Sequence, residues 1–540
     1  MQINFFGKRM KATYIDYKDT NSFSETLLAY LDEDPKLASF YGHWPTIENF
    51  GKQIADKASF PAATRGVLVE QLQLQYAGLL ENAPLVAEQI TALRDSQTFT
   101  VVTGHQLNIF TGPLYFIFKI VSAIKLARDL KKAYPDQHFV PVYWMATEDH
   151  DFAEINHTRV HGKKVSWDTP AISATGRMST ADIVEAVREY VGMLGLSGHS
   201  QELAKLVEDA YLQNLSLADA TRKLVHELFK EYGLLIVDAD RVELKKIFAP
   251  IIEKDILSEN SFKAIEATSA QLNKEGFATQ VNAREINFFY LTDEYRERIV
   301  RTADGRFEVL HQQRYFTEAE LREEIATHPE RFSPNVVMRP LYQELILPNL
   351  AYIGGGAEIV YWLQLKANFD QYNAPFPILV PRNSAIVTED AVVGKIFRLD
   401  LTLKSIFKPL DVLKNDYVKR YTKHRLTLRD EWMELNAIFG KMKLRTHKID
   451  PSLGPSTEAV KARLKKAINS LEKKLLKSDK RNHQDGLIQI ERVKDRLFPG
   501  GGLQERSENF ATLYVKYGDE LIEELVTYFH PLDFKFTILY

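Results

Sequence analysis

Between residues 98 and 146 the chain changes its hydrophobic period twice. Residues 98–103 (TFTVVT) are a short β-branched run that stops at Gly104, the pattern of a strand entering a turn. The turn, 104–112 (GHQLNIFTG), runs into Pro113, a residue favoured in the first turn of a helix. Leu114, Ile117, Val121 and Ile124 then hold one apolar face while Lys119, Lys125 and Arg128 lie off it, which predicts a helix. Residues 139–146 (FVPVYWMA) are almost continuously apolar, as in a strand covered on both faces. Strand, helix and strand in this order form a βαβ unit and predict a parallel sheet.

Two later runs, 233–238 (GLLIVD) and 376–381 (FPILVP), have the same buried-strand character. The segments between interrupt them. Residues 180–230 carry a helical period. Residues 286–291, 297–302 and 306–310 read as a small antiparallel meander, with Asp304-Gly305 turning its second hairpin. Residues 1–95 read as mostly helical, with Leu68, Leu72, Tyr76, Leu79 and Leu80 in period and a Pro-containing break at 59–62. Long charged helices follow residue 384. There Leu464, Ile468, Leu471 and Leu475 keep the spacing of a coiled-coil seam, which Ile490, Val493 and Leu497 resume after Gly486. The expected fold is α/β, a doubly wound parallel sheet with two connecting insertions and a C-terminal α-helical coiled-coil arm. Its expected parts are N-terminal helices with the first half of the core (1–160), a helical insertion (161–230) and a core strand and helix (231–260). A second insertion (261–330), the rest of the core (331–383), the arm (384–500) and a return segment (501–540) complete it.

Composition narrows what such a fold could serve. The 540 residues hold 69 Lys and Arg against 72 Asp and Glu, a net charge of −3, which argues against nucleic acid or an anionic membrane as the main partner. The charge is uneven, since 441–480 holds 12 basic and 4 acidic side chains. That basic arm has little aromatic interleaving, so a solvated helical face is expected before a nucleic-acid contact. No cysteine is present, which excludes disulfides, thiolate metal sites and Cys nucleophiles. The opening stretch MQINFFGKRMKATYIDYKD lacks the apolar centre of a secretory leader, and Lys119 and Lys125 break the apolar stretch 113–127. A cytoplasmic protein without a membrane span is expected.

Three clusters carry candidate chemistry. In the first, His105, Gln106, Thr111 and Gly112 lie on the turn before the first helix, where free amide donors can cradle a carboxylate or phosphate; the plainer reading makes Thr111 the helix cap. In the second, Glu148, Asp149, His150 and Asp151 follow the second strand directly. Charges there are costly unless paired or liganded; carboxylates can hold an ammonium group, and His150 can take a proton. Glu154, His157 and His161 follow at near-helical spacing, but no dense ligand motif such as HExxH is present, and no bound metal is expected. In the third, Arg339 offers a guanidinium fork to a dicarboxylate or phosphate, and Gln343 and Glu344 border an apolar run. Gly354, Gly355 and Gly356 allow close approach of a ligand or strand ahead of Glu358.

Four strings in order, TGHQLNIFTGPLY, WMATEDHDFAEIN, FSPNVVMRPLYQE and GGGAEIVYWLQLK, make the chain resemble the bacillithiol biosynthesis cysteine-adding enzymes, a family of cysteine ligases, over essentially its whole length. The resemblance implies a Rossmann-like core with two connecting insertions, loosely similar to class I cysteine ligases and synthetases, and a coiled coil that makes a homodimer. It implies that the last step of the pathway joins the carboxyl of L-cysteine to the amine of glucosaminyl-malate. On that reading His105, Gln106, Thr111 and Gly112 bind the activated carboxyl or a phosphate, and Glu148 and Asp149 hold an ammonium group or a water. His150 or Asp151 is the base and Arg339 binds the malate carboxylates, with Asn156, Gln343, Glu344, Gly355 and Glu358 as further substrate contacts. An amide does not form readily from a free carboxylate, so ATP with Mg2+ is expected, with no tightly bound cofactor. The turn reads HQLNIFTGP where class I synthetases carry a HIGH-like pair, and Lys441-Met442-Lys443 is too short for a KMSKS-like loop. Adenylation, phosphorylation and a pre-activated donor therefore all stay open. The rival readings are a metal-dependent amidohydrolase built on 148–161 and a non-catalytic tRNA-binding relative of synthetases.

Overall fold

The computed structural model describes residues 9–170, 173–423 and 425–540; residues 1–8, on which part of the leader reading rests, lie outside the described residues. The apolar runs form one sheet of β1 (Thr98–His105), β2 (His138–Met145), β3 (Leu235–Asp238), β4 (Asn349–Gly354) and β5 (Ile378–Pro381). Every pairing in it is parallel, and the spatial order is β3-β2-β1-β4-β5. The chain builds outward from β1 to β3, then crosses back to the other side of β1. This is the doubly wound Rossmann order, with its switch point between β1 and β4. β1 and β2 stay in register from Thr98 opposite His138 to His105 opposite Met145, so the loops that follow them leave the same edge together.

Both faces of the sheet are covered, which is why its strands read as unbroken apolar runs. Phe99 and Val101 pack with Ala123, Leu126 and Leu130 of helix α1 (Tyr115–Ala133) and with Phe50 of the helix Ile47–Lys57. Val102 and Val142 belong to the larger core that the insertions share. The first insertion follows β2 with a hairpin, His157–Val160 and Lys163–Ser166, and the helices Val184–Leu194, Gly198–Leu212 and Leu217–Phe229.

The second insertion lies between β3 and β4. It holds the helices Val242–Ser258 and Asn260–Lys274 and an antiparallel sheet in the order Arg314–Phe316, Phe307–Val309, Arg296–Arg301, Phe288–Leu291, Phe332–Pro334. Three of these strands are the expected meander. Phe332–Pro334 corrects the sequence reading, which placed it in the core: it pairs antiparallel with Phe288–Leu291. A three-residue strand ending in proline carries no period of its own. A second correction concerns the N-terminal region, where Ala12–Asp16 is a strand, paired with Lys535–Leu539, which in turn pairs with Ala385–Val387.

The chain divides into two units, the first taking residues up to Lys18, 22–387 and 502–539, and the second chiefly 388–501. In the second, Arg429–Ile449 and Gly454–Asp479 pack on each other as a helical hairpin. Ile490, Val493 and Leu497 are buried on a separate helix, Gln484–Leu497, which packs on Leu410–Tyr421. Among the described residues no helix is long and apolar enough to cross a membrane.

Candidate active site

A cavity of about 430 Å3 opens where the carboxyl end of β2 meets the second insertion. Trp144, Met145, Ile286, Phe288 and Phe289 give it apolar walls. Four arginines, Arg284, Arg296, Arg298 and Arg339, line it together with Glu148 and Asp149. Arg296 and Arg298 stand two residues apart on one strand, so their side chains leave the same face.

Arg296 organises the site. Its Nε donates to Ser333 Oγ (3.0 Å), Nη2 to the Pro334 carbonyl (3.2 Å) and Nη1 to His150 Nδ1 (2.9 Å), while the guanidinium lies 3.9 Å from the centre of the Phe289 ring. A guanidinium only donates, so His150 Nδ1 is the unprotonated nitrogen and the imidazole proton sits on Nε2. The expected base role of His150 is thereby opposed, since its accepting nitrogen is already engaged.

The two acids of the cavity are driven apart. Burial pushes the Glu148 carboxyl up, against the attraction of the Lys245 ammonium that it contacts. Burial also acts on Asp149, but hydrogen bonding with His150 and from Gln106 Nε2 (2.7 Å), with the charge of Arg296 and the Asp151 amide, holds its carboxyl well below the usual aspartate range. The loop itself is fixed from beneath. Thr147 Oγ1 donates to Asp238 Oδ1 (2.6 Å), the amide of Gly176 to the Thr147 carbonyl (2.9 Å) and the amide of Thr175 to the Asp149 carbonyl (2.6 Å). A Cβ on Gly176 would lie 2.6 Å from Thr147 Cβ, so only glycine allows this approach.

Arg339 begins helix α2 (Arg339–Ile346), and its Nη1 donates to Gln343 Oε1 (2.9 Å) one turn on. Gln343 Nε2 donates to Glu344 Oε1 (3.0 Å), and Glu344, fully buried at its side chain, pairs with Lys57 (2.8 Å). Gln343 and Glu344 therefore position Arg339 from behind. Glu358, on helix α3 (Gly356–Trp362), accepts from the Gly355 amide (2.9 Å) and from Lys119 Nζ (2.7 Å), which also donates to the Gly104 carbonyl (2.5 Å). Lys119 does not face away from the core as its sequence position implies; it is buried on α1 and reaches the end of β1.

Other expected site residues have structural partners instead. Helix α1 begins at Tyr115, and Thr111 caps nothing. The carbonyls of Phe110 and Gly112 each accept from Asn509 Nδ2 (2.7 Å), and the Leu114 amide donates to the Glu508 carbonyl (2.8 Å). A returning segment thus fills the turn where Thr111 and Gly112 were expected to cradle an anion. Asp151 caps the short helix Phe152–Ile155, and Asn156 closes it. Glu154 accepts from Gln106 Nε2 (2.9 Å) and His157 Nδ1 faces Asn156 Oδ1 (3.1 Å). Among the described residues no three His, Asp or Glu side chains gather as metal ligands.

Sequence reasoning missed Arg284, Arg296, Arg298 and Lys245. The signal for two of them was present, since Arg-Glu-Arg at 296–298, at the start of the expected strand 297–302, puts two cations on one face when the strand begins one residue earlier.

The family model described as "Bacillithiol biosynthesis BshC, N-terminal Rossmann-like domain" matches residues 10–383. That of the "Bacillithiol biosynthesis BshC, C-terminal coiled-coil domain" matches residues 385–540. Proteins named "Putative cysteine ligase BshC" are similar along nearly their whole length. That of Flavobacterium psychrophilum is 42% identical over 98% of this chain and 99% of its own. Those of Flavobacterium johnsoniae (42%, covering 98% and 100%) and Cytophaga hutchinsonii (38%, covering 96% and 97%) follow the same pattern.

Proposed function

The chain belongs to the bacillithiol biosynthesis BshC family, and on that premise we propose that it joins the carboxyl group of L-cysteine to the amine of glucosaminyl-malate. The observation that carries the reading is the arginine-lined cavity. Two carboxylates on a malate group call for several fixed cations, and guanidinium forks bind carboxylates with two parallel hydrogen bonds. Arg284, Arg296, Arg298 and Arg339 supply them, and the apolar walls suit the carbon face of a sugar.

The attacking amine must lose its proton before or as it forms the amide. Glu148 takes this role. It lines the cavity, its carboxyl is pushed up by burial, and Lys245 holds it in place. Asp149 stays ionised and fixes Gln106 and the loop amides, while His150, with its proton on Nε2, offers a donor to the substrate. ATP with Mg2+ would supply an activated cysteinyl carboxyl with a good leaving group. The nitrogens of His105, Arg339 and Arg382 that are buried without a partner among the described residues fit the anionic part of such a donor.

A cytoplasmic location and a homodimer formed through the helical hairpin 429–479 complete the proposal; light scattering should give twice the 62.0 kDa of one chain. The deciding experiment incubates purified protein with L-cysteine, glucosaminyl-malate and Mg-ATP and follows the products by mass spectrometry. A cysteinyl adduct of glucosaminyl-malate is expected, formed at least tenfold more slowly by Arg298→Gln. An adduct formed equally fast by wild type and Arg298→Gln would remove the cavity from the mechanism.

A further inference from the structure

A second group of side chains meets at the switch point between β1 and β4, where doubly wound sheets bind ligands. His105, at the end of β1, stacks on Phe116 (ring centres 5.0 Å apart) and meets Tyr115 edge-on (5.4 Å). The guanidinium of Arg382, just beyond β5, lies 5.2 Å from the centre of the same Tyr115 ring, and its Nε is 3.8 Å from where a Cβ on Gly355 would stand. Arg339 Nη1 is 3.6 Å from the corresponding position on Gly104, whose carbonyl accepts from Lys119.

Three nitrogens in this group are buried without a partner among the described residues: His105 Nε2, Arg339 Nη2 and Arg382 Nε. Neighbouring donors are engaged. Lys119 pairs with Glu358, and Arg382 spends its terminal nitrogens on the Asn383 carbonyl, Ser384 Oγ and Glu505 Oε1. Both carboxylates near the group are thus neutralised. Arg339 has no carboxylate within ion-pair distance among the described residues; Gln343 is the neutral partner of its Nη1. One unbalanced positive charge, which carries one of the three idle nitrogens, therefore stands in the group with the other two. Burial, reinforced by Lys119 and Arg382, keeps His105 neutral, so it can donate through Nε2 without adding charge. Buried donors left without acceptors are costly to a fold, and a bound acceptor removes the cost.

We propose that the His105, Arg339 and Arg382 nitrogens form an oxyanion subsite, for a carboxylate or a phosphoryl group of the acyl donor, with Arg339 shared between it and the arginine-lined cavity. The assignment to an acyl donor rests on the ligase reading; the assignment to an oxyanion does not.

The test is calorimetric titration of the full chain with inorganic phosphate, L-cysteine, glucosaminyl-malate and cysteamine, the last being cysteine without its carboxylate. His105→Phe keeps the ring stack on Phe116 and deletes Nε2. It should weaken phosphate or L-cysteine binding about tenfold and leave cysteamine unchanged, whereas Arg298→Gln should weaken only glucosaminyl-malate. A loss confined to L-cysteine identifies the carboxylate and a loss confined to phosphate identifies the phosphoryl group. Equal binding of both probes by wild type and His105→Phe overturns the subsite, as does failure of wild type to bind either. Should the variant not fold, wild-type protein labelled at its histidine rings decides. The His105 signal must move saturably with one probe, and an unmoved signal overturns the assignment. The glucosaminyl-malate arm reports on the ligase reading alone, so the two fail separately.

Discussion

A carboxylate can serve as a base only where its surroundings favour the proton, and the adjacent acids Glu148 and Asp149 are pushed in opposite directions. Glu148→Gln should slow product formation about 100- to 10,000-fold, the range general-base catalysis supplies. The wild-type rate should rise with pH through an acid limb above the ordinary glutamate value, and this limb should be missing in the variant. Asp149 is the stability partner. Its carboxyl is depressed in the folded state, so its contribution is present above the ordinary aspartate value of 3.8 and lost as the pH falls through the folded value. Melting between pH 5 and 2 should therefore fall less steeply for Asp149→Asn than for wild type. Lys57→Met leaves Glu344 buried without its cation and should cost about 3–5 kcal/mol, read by urea denaturation. At this scale the structure brings Glu148, Asp149 and Arg339, each within three residues of a recognisable strand or a proline, to the lining of one cavity. His150, Thr111 and Asp151 engage Arg296, Asn509 and the Glu154 amide; the first two partners lie far away in the chain and only the third is local.

Among the elements, the loop 147–149 is held where the first insertion touches it. Gly176→Ala would force a Cβ against Thr147 and should destabilise by about 1–3 kcal/mol, with a larger loss of activity because the displaced segment carries Glu148 and Asp149. Parallel measurements of melting temperature and kcat would separate the two effects. Asn509 is the corresponding device on the other loop. Besides four acceptors for its Nδ2, its Oδ1 accepts from Tyr190 (2.9 Å) and the Ala511 amide (2.9 Å). Asn509→Ala should cost about 3–5 kcal/mol by thermal or chemical denaturation. The long strands and α1 were legible because period and length are local properties. Phe332–Pro334, Ala12–Asp16 and Ala385–Val387 were not, since their only reason to be strands is a partner far away in the chain.

Across the whole molecule, the first unit is closed by residues that come last. Lys535–Leu539 is the central strand between Ala12–Asp16 and Ala385–Val387. A chain truncated after Asp533 should lose cooperative melting, as measured by calorimetry, even though every residue of the candidate site is retained. The turn after β1 likewise waits for Asn509, which is 397 positions beyond Gly112. At translation rates of about 5–20 residues per second, roughly 20 to 80 s separate the emergence of these partners from the ribosome. During that interval the β1 turn and the first strand stand exposed with unpaired backbone groups, while the second unit has already been synthesised. The core is thus completed only once residues 502–539 have been made, and a ribosome stalled within 388–501 would present a half-closed sheet to chaperones and proteases.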